Sequence, residues 1–441
     1  MFRFLWLILI TTGSLSLKAQ TPLTLPDAIR IGLQESYQID IAEQRIDIAE
    51  RNDNYKTAGA YPTVDFIFNV PSNYAIQNNP NSFIQGAFVT TGANAAVQAN
   101  WVMFDGYRVR YTKRRLETLV QQTRQSLQLQ VEATTVNIML AYYNALIARE
   151  QLEVLQDVID LSRDRIAYQE LRREYGQSNT FVVLQTREAY IADSITLMQQ
   201  QVAYSNSILN LQLAMGVVSS EVEYIPTDSL AADFEQYAYE TLEQRLLADN
   251  NNLQNLLLNR ELATVNVDLR RATLYPTISA GASAEYGITV ARLFADNPNT
   301  GEPFETAVGD NIGVGLGFTL AYPLYDAGQR RRNIENARVE ALIAQLDIDD
   351  LKRTLRAQLA TTLATYDNQR RLLQLAQARV SLLEEQLAVA EERLRGGIIN
   401  TFDYRQIQVN YVNAQQVRLN IIFQLKTTET ELVRLTGGIT R

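Results

Sequence analysis

Histidine and cysteine are both absent from this 441-residue chain. That removes thiol nucleophiles, disulfides, Cys/His zinc sites and imidazole acid–base catalysis. The sequence contains no glycine-rich phosphate loop, no metal-spaced carboxylate set and no nucleophile elbow. The acidic doublets Asp349-Asp350, Glu384-Glu385 and Glu391-Glu392 read as solvated positions. No catalytic residue, cofactor or metal is therefore expected, and a carboxylate-only hydrolase is a distant reading. One acid stands apart. Asp403 falls three residues after Asn400, at the third position of a helix, where an acid suits the helix dipole. A second reading is a ring of carboxylates selecting cations at the narrow end of a symmetric channel.

Two further groups of residues carry chemistry. Arg108, Arg110, Lys113, Arg114 and Arg115 crowd one helix start, and Arg330, Arg331 and Arg332 crowd another. Cations there oppose the helix dipole, so a compensating partner is expected. Anionic head groups at a bilayer surface would serve, which makes Arg108, Arg110, Arg330, Arg331 and Arg332 candidate membrane anchors. Local pairs with Glu117 and Glu335 on a solvated face would serve equally. The second group is Gly176, Asn179, Thr180 and Phe181, matched by Gly397, Asn400, Thr401 and Phe402. Each quartet reads as a glycine helix stop followed by an asparagine N-cap. Turn formation alone explains it, and Phe181 and Phe402 exposed for a docking partner is the other reading.

The elements that position these residues come in duplicate. Ala58, Tyr61, Pro62 and Thr63 recur as Ala272, Tyr275, Pro276 and Thr277. Asp105 recurs as Asp326, and Gly216 as Gly437. The offset between copies grows by about seven residues between Pro276 and Asp326, a tandem repeat with one tolerated insertion. Thr24 caps a helix expected to run to about Lys56. After Pro62 the period changes to two: Val64, Phe66, Phe68 and Val70 alternate, then Val97, Ala99, Trp101 and Met103. In the second copy Ile312 to Leu324 alternates throughout. Polar loops are expected from about Pro71 to Asn94 and from about Ala291 to Asp310. Two stretches without proline or glycine, Tyr107 to Tyr175 and Gln329 to Arg395, would each reach roughly 100 Å as a single helix. Leu373, Ala376, Val380, Leu383, Leu387, Ala390 and Leu394 form a coiled-coil seam.

The expected layout is a signal peptide over 1–19 and a first repeat over 20–216. Within that repeat come a β-hairpin at about 61–104, a long helix at about 107–175, a tip at 176–180 and a return helix at about 180–214. A linker or equatorial region covers 217–240. The second repeat, 241–441, has its hairpin at about 275–325, long helix at about 329–395, tip at 396–401 and return helix at about 401–435. The leader reading rests on Arg3, the apolar stretch Phe4 to Ile10 and Ala19. A net charge of −9 argues against nucleic acid. Four strands of membrane-crossing length cannot close a barrel alone, since an open edge in lipid strands backbone groups and small barrels need about eight. A small soluble sheet packed on helices is the other reading; if the strands enter a membrane, several chains would have to share one barrel.

The ordered set in duplicate resembles the TolC family of outer-membrane efflux proteins. The residues that carry it are Leu25 and Ala28, Ala58 and Pro62, Phe104-Asp105-Gly106, Tyr325-Asp326-Ala327-Gly328 and the glycine-led tips. The resemblance implies a mixed fold of β-barrel and α-helical barrel. A homotrimer would give four strands per chain to a 12-stranded barrel in outer-membrane lipid, above a coiled-coil tunnel across the periplasm. It implies a passive exit duct for an efflux pump or type I secretion system, not an enzyme. Its partners would be a periplasmic adaptor protein and an inner-membrane pump or exporter, with no nucleic acid. The family's first gate aspartate matches Asp403, while Gln406 and Val182 depart from its acidic positions. The alternative is a structural coiled-coil or adhesin-like envelope protein without transport activity.

Overall fold

Alternation of apolar and polar residues builds one sheet, and two long runs without helix breakers build the helices. The computed structural model describes residues 19–78, 86–217, 222–230, 234–294 and 305–440. All but the last residue of the expected signal peptide lies outside the described residues. Two compact units emerge. The sheet unit holds Gln44–Arg124 and Asn255–Asp349, and the hairpin unit holds the remainder.

In chain order the elements are β1 (Ala19–Leu23), α1 (Leu25–Gln34), α2 (Tyr37–Asn52), β2 (Thr63–Asn69), β3 (Ser72–Gln77), β4 (Gly86–Phe104), α3 (Arg108–Glu174) and α4 (Thr180–Ala214). Then come β5 (Val222–Pro226), α5 (Tyr239–Asp249), α6 (Asn251–Ala272), β6 (Thr277–Leu293), β7 (Ala307–Ala321), α7 (Gln329–Arg395), α8 (Thr401–Leu435) and a short 3₁₀ turn (Gly438–Thr440). The two copies match in length: α3 and α7 have 67 residues each, α4 and α8 have 35 each. Among the described residues no helix is long and apolar enough to cross a membrane.

The sheet unit is an antiparallel meander in the order β2-β4-β6-β7, with β3 also pairing β4. Register sorts its faces. Phe66, Val97, Ala284 and Val314 form one cross-strand row, and Phe68, Ala95, Tyr286 and Ile312 the next. The opposite face carries Asp65, Gln98, Ser283 and Gly315, then Asn69, Asn94, Gly287 and Asn311. The apolar face is bare: Val314 is 85% exposed and Leu316 75%. The outer strands, β2 with β3 and β7, each have one paired side.

Three expectations need correction. The stretches read as polar loops are largely strand: Ser72–Gln77, Gly86 to Asn94, Ala291 to Leu293 and Ala307 to Asp310 all pair. Their Asn, Thr and Gly residues serve the polar face rather than turns, and Pro71 splits the first strand in two. The large sheet keeps four strands when β2 and β3 are taken as one interrupted strand, and β1 and β5 pair outside it. The 217–240 stretch is not simply a linker, because β5 pairs in parallel with β1. The helix expected from Thr24 to Lys56 is two helices, broken at Glu35-Ser36.

A close glycine approach at this break repeats in the second copy. Gly216, at φ +73°, ends the first return helix against the Glu35 carbonyl; a Cβ there would lie 2.7 Å from that oxygen. Gly437, at φ +68°, ends the second against Asp249, and its Cβ would lie 2.3 Å from that carbonyl. Asp249 closes α5 as Glu35 closes α1. The core of the hairpin unit gathers beside the first joint. Leu23, Ala28, Ile138, Tyr142, Leu146, Leu211 and Met215 pack together. The Tyr142 hydroxyl donates to the Leu23 carbonyl at 3.0 Å and to Asp228 at 2.8 Å, tying β1 to the segment after β5.

Candidate gate and docking tips

Each tip is built from the same local parts. At the first, Gly176 (φ +72°) ends α3, with Gln177 N–H donating to the Arg172 carbonyl at 2.7 Å. Asn179 Oδ1 then accepts from Val182 N–H at 3.0 Å and starts α4. At the second, Gly397 (φ +73°) ends α7, with Ile398 N–H donating to Arg393 at 2.8 Å. Asn400 Oδ1 accepts from Asp403 N–H at 2.9 Å. The left-handed turn closes the last carbonyls of one helix, and the asparagine cap satisfies the first amides of the next.

The hairpin unit brings the two tips together. Gln169 Nε2 donates to the Thr401 hydroxyl at 3.3 Å, and Ser178 donates to Gln169 at 3.2 Å. Between them lies a cavity of about 480 Å³ walled by Gln177, Val182, Gly397 and Asn400. Phe181 is 72% exposed and Phe402 62%, with Tyr175 and Ile398 exposed beside them. Thr180 is exposed at the first tip. The Asp403 carboxylate is exposed too, and its first-copy counterpart Val182 is half-buried.

A cluster that sequence reasoning missed lies one turn along α8 from the second tip and several turns along α3 and α4 from the first. Arg405 grips both carboxylate oxygens of Asp193, one at 2.7 Å. Ser162 donates to the same carboxylate at 2.8 Å. Gln408 Oε1 accepts from Arg165 and, at 3.3 Å, from Arg405. Arg165 stacks over the Tyr404 ring at 4.6 Å. Burial pulls the Arg165 pKa down and pushes the Tyr404 hydroxyl up. The cluster joins α3 and α4 to α8. A signal was present: Asp193 continues the buried stripe of Val183 and Thr186 on α4, where a charge needs a partner.

The arginines at the strand–helix junctions find partners within the chain. Arg108 Nε donates to Asp105 at 2.9 Å. Arg330 Nε donates to Asp326 at 2.7 Å, and Asp326 also accepts from Gly328 N–H and Arg330 N–H. Those bonds hold the Asp326 carboxyl below the usual range. The aspartate thus caps the helix start and neutralises the cation that opposes the dipole. Within the chain, Glu117 pairs with Lys113 and Glu335 with Arg338, while Arg108 and Arg330 pair with these aspartates. Arg332 donates to the Ala327 carbonyl at 2.7 Å. Arg110 and Arg331 stay exposed, without a partner among the described residues.

The family model for outer membrane efflux proteins matches residues 242–438, the second copy. The chain is 22% identical over 334 residues to the probable efflux pump outer membrane protein TtgC of Pseudomonas putida, covering 74% of this chain and 65% of that one. It therefore spans about two thirds of that relative's length. It is 21% identical over 354 residues to protein CyaE of Bordetella pertussis, covering 78% of this chain and 71% of the relative. Among solved structures, CusC superposes with a TM-score of 0.73 at 16% identity, covering 94% of this chain and 92% of CusC. The CmeC outer membrane channel of Campylobacter jejuni does so with 0.73 at 14% identity, covering 94% and 85%. The chain shares the fold of these channels, helices and strands in one mixed architecture.

Proposed function

We propose that this chain, whose second copy matches the family model for outer membrane efflux proteins, is a passive exit duct for an efflux pump or a secretion system. The observation that supports it most is the bare apolar face of an open sheet. Val314, Leu316 and Phe318 are each more than two-thirds exposed on an edge strand. In water each large side chain so exposed forgoes roughly 1.5–3 kcal/mol. In lipid the face is at home, but the unpaired edges are not. Three copies pairing β7 of one with β2 and β3 of the next would remove both problems and give the twelve-stranded barrel of the family resemblance. The polar face of Asp65, Gln98, Asn94 and Asn311 would then line the pore.

The residues on 1–19 would act as the secretory leader. The long helices would form the periplasmic tunnel, with its narrow end at the tips. Arg405 and Asp193 join the two hairpins of one chain, so an adaptor that seats on Phe181, Phe402 and the tip turns would work against that ion pair to open the passage. Asp403 would project into a three-fold ring there. With Gln406 and Val182 in place of further acids, the ring carries one carboxylate per chain. Arg110 and Arg331 are the arginines left over for head groups. Nothing in the scheme calls for a chemical step by the protein.

Fractionation tests the reading. The protein should be recovered from outer membranes as an oligomer that heat dissociates to one chain, with native mass spectrometry giving three copies. Recovery as a soluble monomer or filament would refute it.

A further inference from the structure

Two guanidinium groups in the hairpin unit share one carboxylate. Arg405 takes both oxygens of Asp193. Arg165 is left with neutral acceptors: the Leu161 carbonyl at 3.3 Å, the Ser162 hydroxyl at 3.0 Å and Gln408 Oε1. It has no ion pair among the described residues. Gln408 Oε1 sits between the two guanidiniums, where a carboxylate would ordinarily be found, and the buried Gln408 Nε2 has no partner. Arg165 thus lacks a directly bonded carboxylate, and a half-buried charge seeks a counter-ion.

Beside it lies a cavity of about 250 Å³. Arg165 and Arg405 line it, with the Ser162, Thr186 and Thr401 hydroxyls and the Gln185 amide. The planar guanidinium forks are the donors of an anion site here, since the Ser162 and Thr186 hydroxyls already donate to Asp193 and to the Val182 carbonyl. A water takes up about 30 Å³, so the cavity has room for a tetrahedral oxyanion and a few waters.

We propose that this cavity binds a small free oxyanion, of the phosphate or carboxylate kind, between Arg165 of α3 and Arg405 of α8. The bound ion supplies the missing negative charge and bridges the two hairpins, so occupancy stiffens their joint. Glu188 also lines the cavity; it is exposed and has no partner among the described residues. A free carboxylate at the mouth opposes anion entry and keeps the site weak enough to respond to concentration. The inference goes beyond the duct reading and does not depend on transport.

Calorimetric titration of the full-length, detergent-solubilised protein with inorganic phosphate at fixed ionic strength tests it. The wild type should show one saturable site per chain. Arg165→Gln should weaken it about tenfold or more, as loss of a charge-assisted bond requires. Arg165→Lys should retain part of the affinity, and Glu188→Gln should tighten binding about threefold or more. No saturable binding by the wild type overturns the proposal, as does equal affinity in Arg165→Gln. If Arg165→Gln fails to fold by far-ultraviolet circular dichroism, the Glu188→Gln titration decides: unchanged affinity there overturns the site.

Discussion

Replacing Asp193 with Asn should loosen the joint between the two hairpins while leaving the sheet untouched. Asp193 is 11% exposed and Arg405 26%, so the pair is mostly shielded from water. Coulomb's law at an effective dielectric of about 20 gives roughly 4 kcal/mol for unit charges near 4 Å. Removing one partner of a buried pair costs about 3–5 kcal/mol, because the other charge is left uncompensated. Here Arg405 keeps some solvent, which lowers the cost, while Arg165 stands close by and raises it. We take about 2–3 kcal/mol, or roughly a 30- to 150-fold rise in the open population. Hydrogen–deuterium exchange reads that directly. Amides following both tips, around Phe181 and Phe402, should exchange faster by that factor, and amides of β4 and β6 should not change. Asp350→Asn removes a solvent-exposed partner of Arg353 and should alter exchange less than threefold. Tip exchange in Asp193→Asn no faster than in that control would refute the reasoning.

Further outcomes follow from other parts of the structure. Asp403→Asn in a reconstituted oligomer should change cation selectivity or block by trivalent cations, and unchanged single-channel currents would sink the carboxylate ring. Gly437→Ala should lower the unfolding free energy measured by urea titration by about 2–3 kcal/mol, combining left-handed strain of roughly 1–2 kcal/mol with the clash on the Asp249 carbonyl. Gly59→Ala, at φ +89° in open space, should show the strain alone, and equal losses in the two would contradict the joint. Burial pushes the Tyr143 hydroxyl up to about 12, and burial also raises Tyr142, Tyr366 and Tyr404. A tyrosine raised on folding contributes stability below its unfolded pKa near 10 and loses it as pH climbs through the folded value. Stability should therefore fall between about pH 10 and 12, in step with phenolate absorbance; a flat profile there would refute the assignment.

The periodic parts of the fold could be read from the residues. The uninterrupted run Gln329 to Arg395 is one helix from end to end, and in the seam Leu373, Ala376, Val380, Ala390 and Leu394 are buried. Such patterns are local and repeat many times, so single exceptions do not hide them. What escaped depends on distant pairing. The five residues of β5 carry too little alternation to announce a strand, and their partner β1 lies about two hundred residues away. Asn94 and Gly287 look like turn residues until the register sets them side by side on the polar face. The close approach of Gly216 to the Glu35 carbonyl likewise joins residues far apart in the chain. At the tips, the caps were visible in the spacing of Gly397 and Asn400. The pairing of Arg405 with Asp193 was not, because no rule of spacing joins residues on α8 and α4.

The β4–β6 ladder joins a strand of the first copy to a strand of the second. A chain with a single copy would have no such internal seam, and its hairpin would present two free edges. Six such half-length chains would be needed to supply twelve strands, and every subunit would be alike. Any change at one tip would then appear six times around the ring. Fusing the copies halves the symmetry and frees alternate positions to diverge. Val182 and Asp403 occupy equivalent places in the two copies and differ in charge. In the proposed trimer, the ladder between β4 and β6 would put inside one chain a seam that single copies would have to make between chains, so one tip could be specialised without altering its twin.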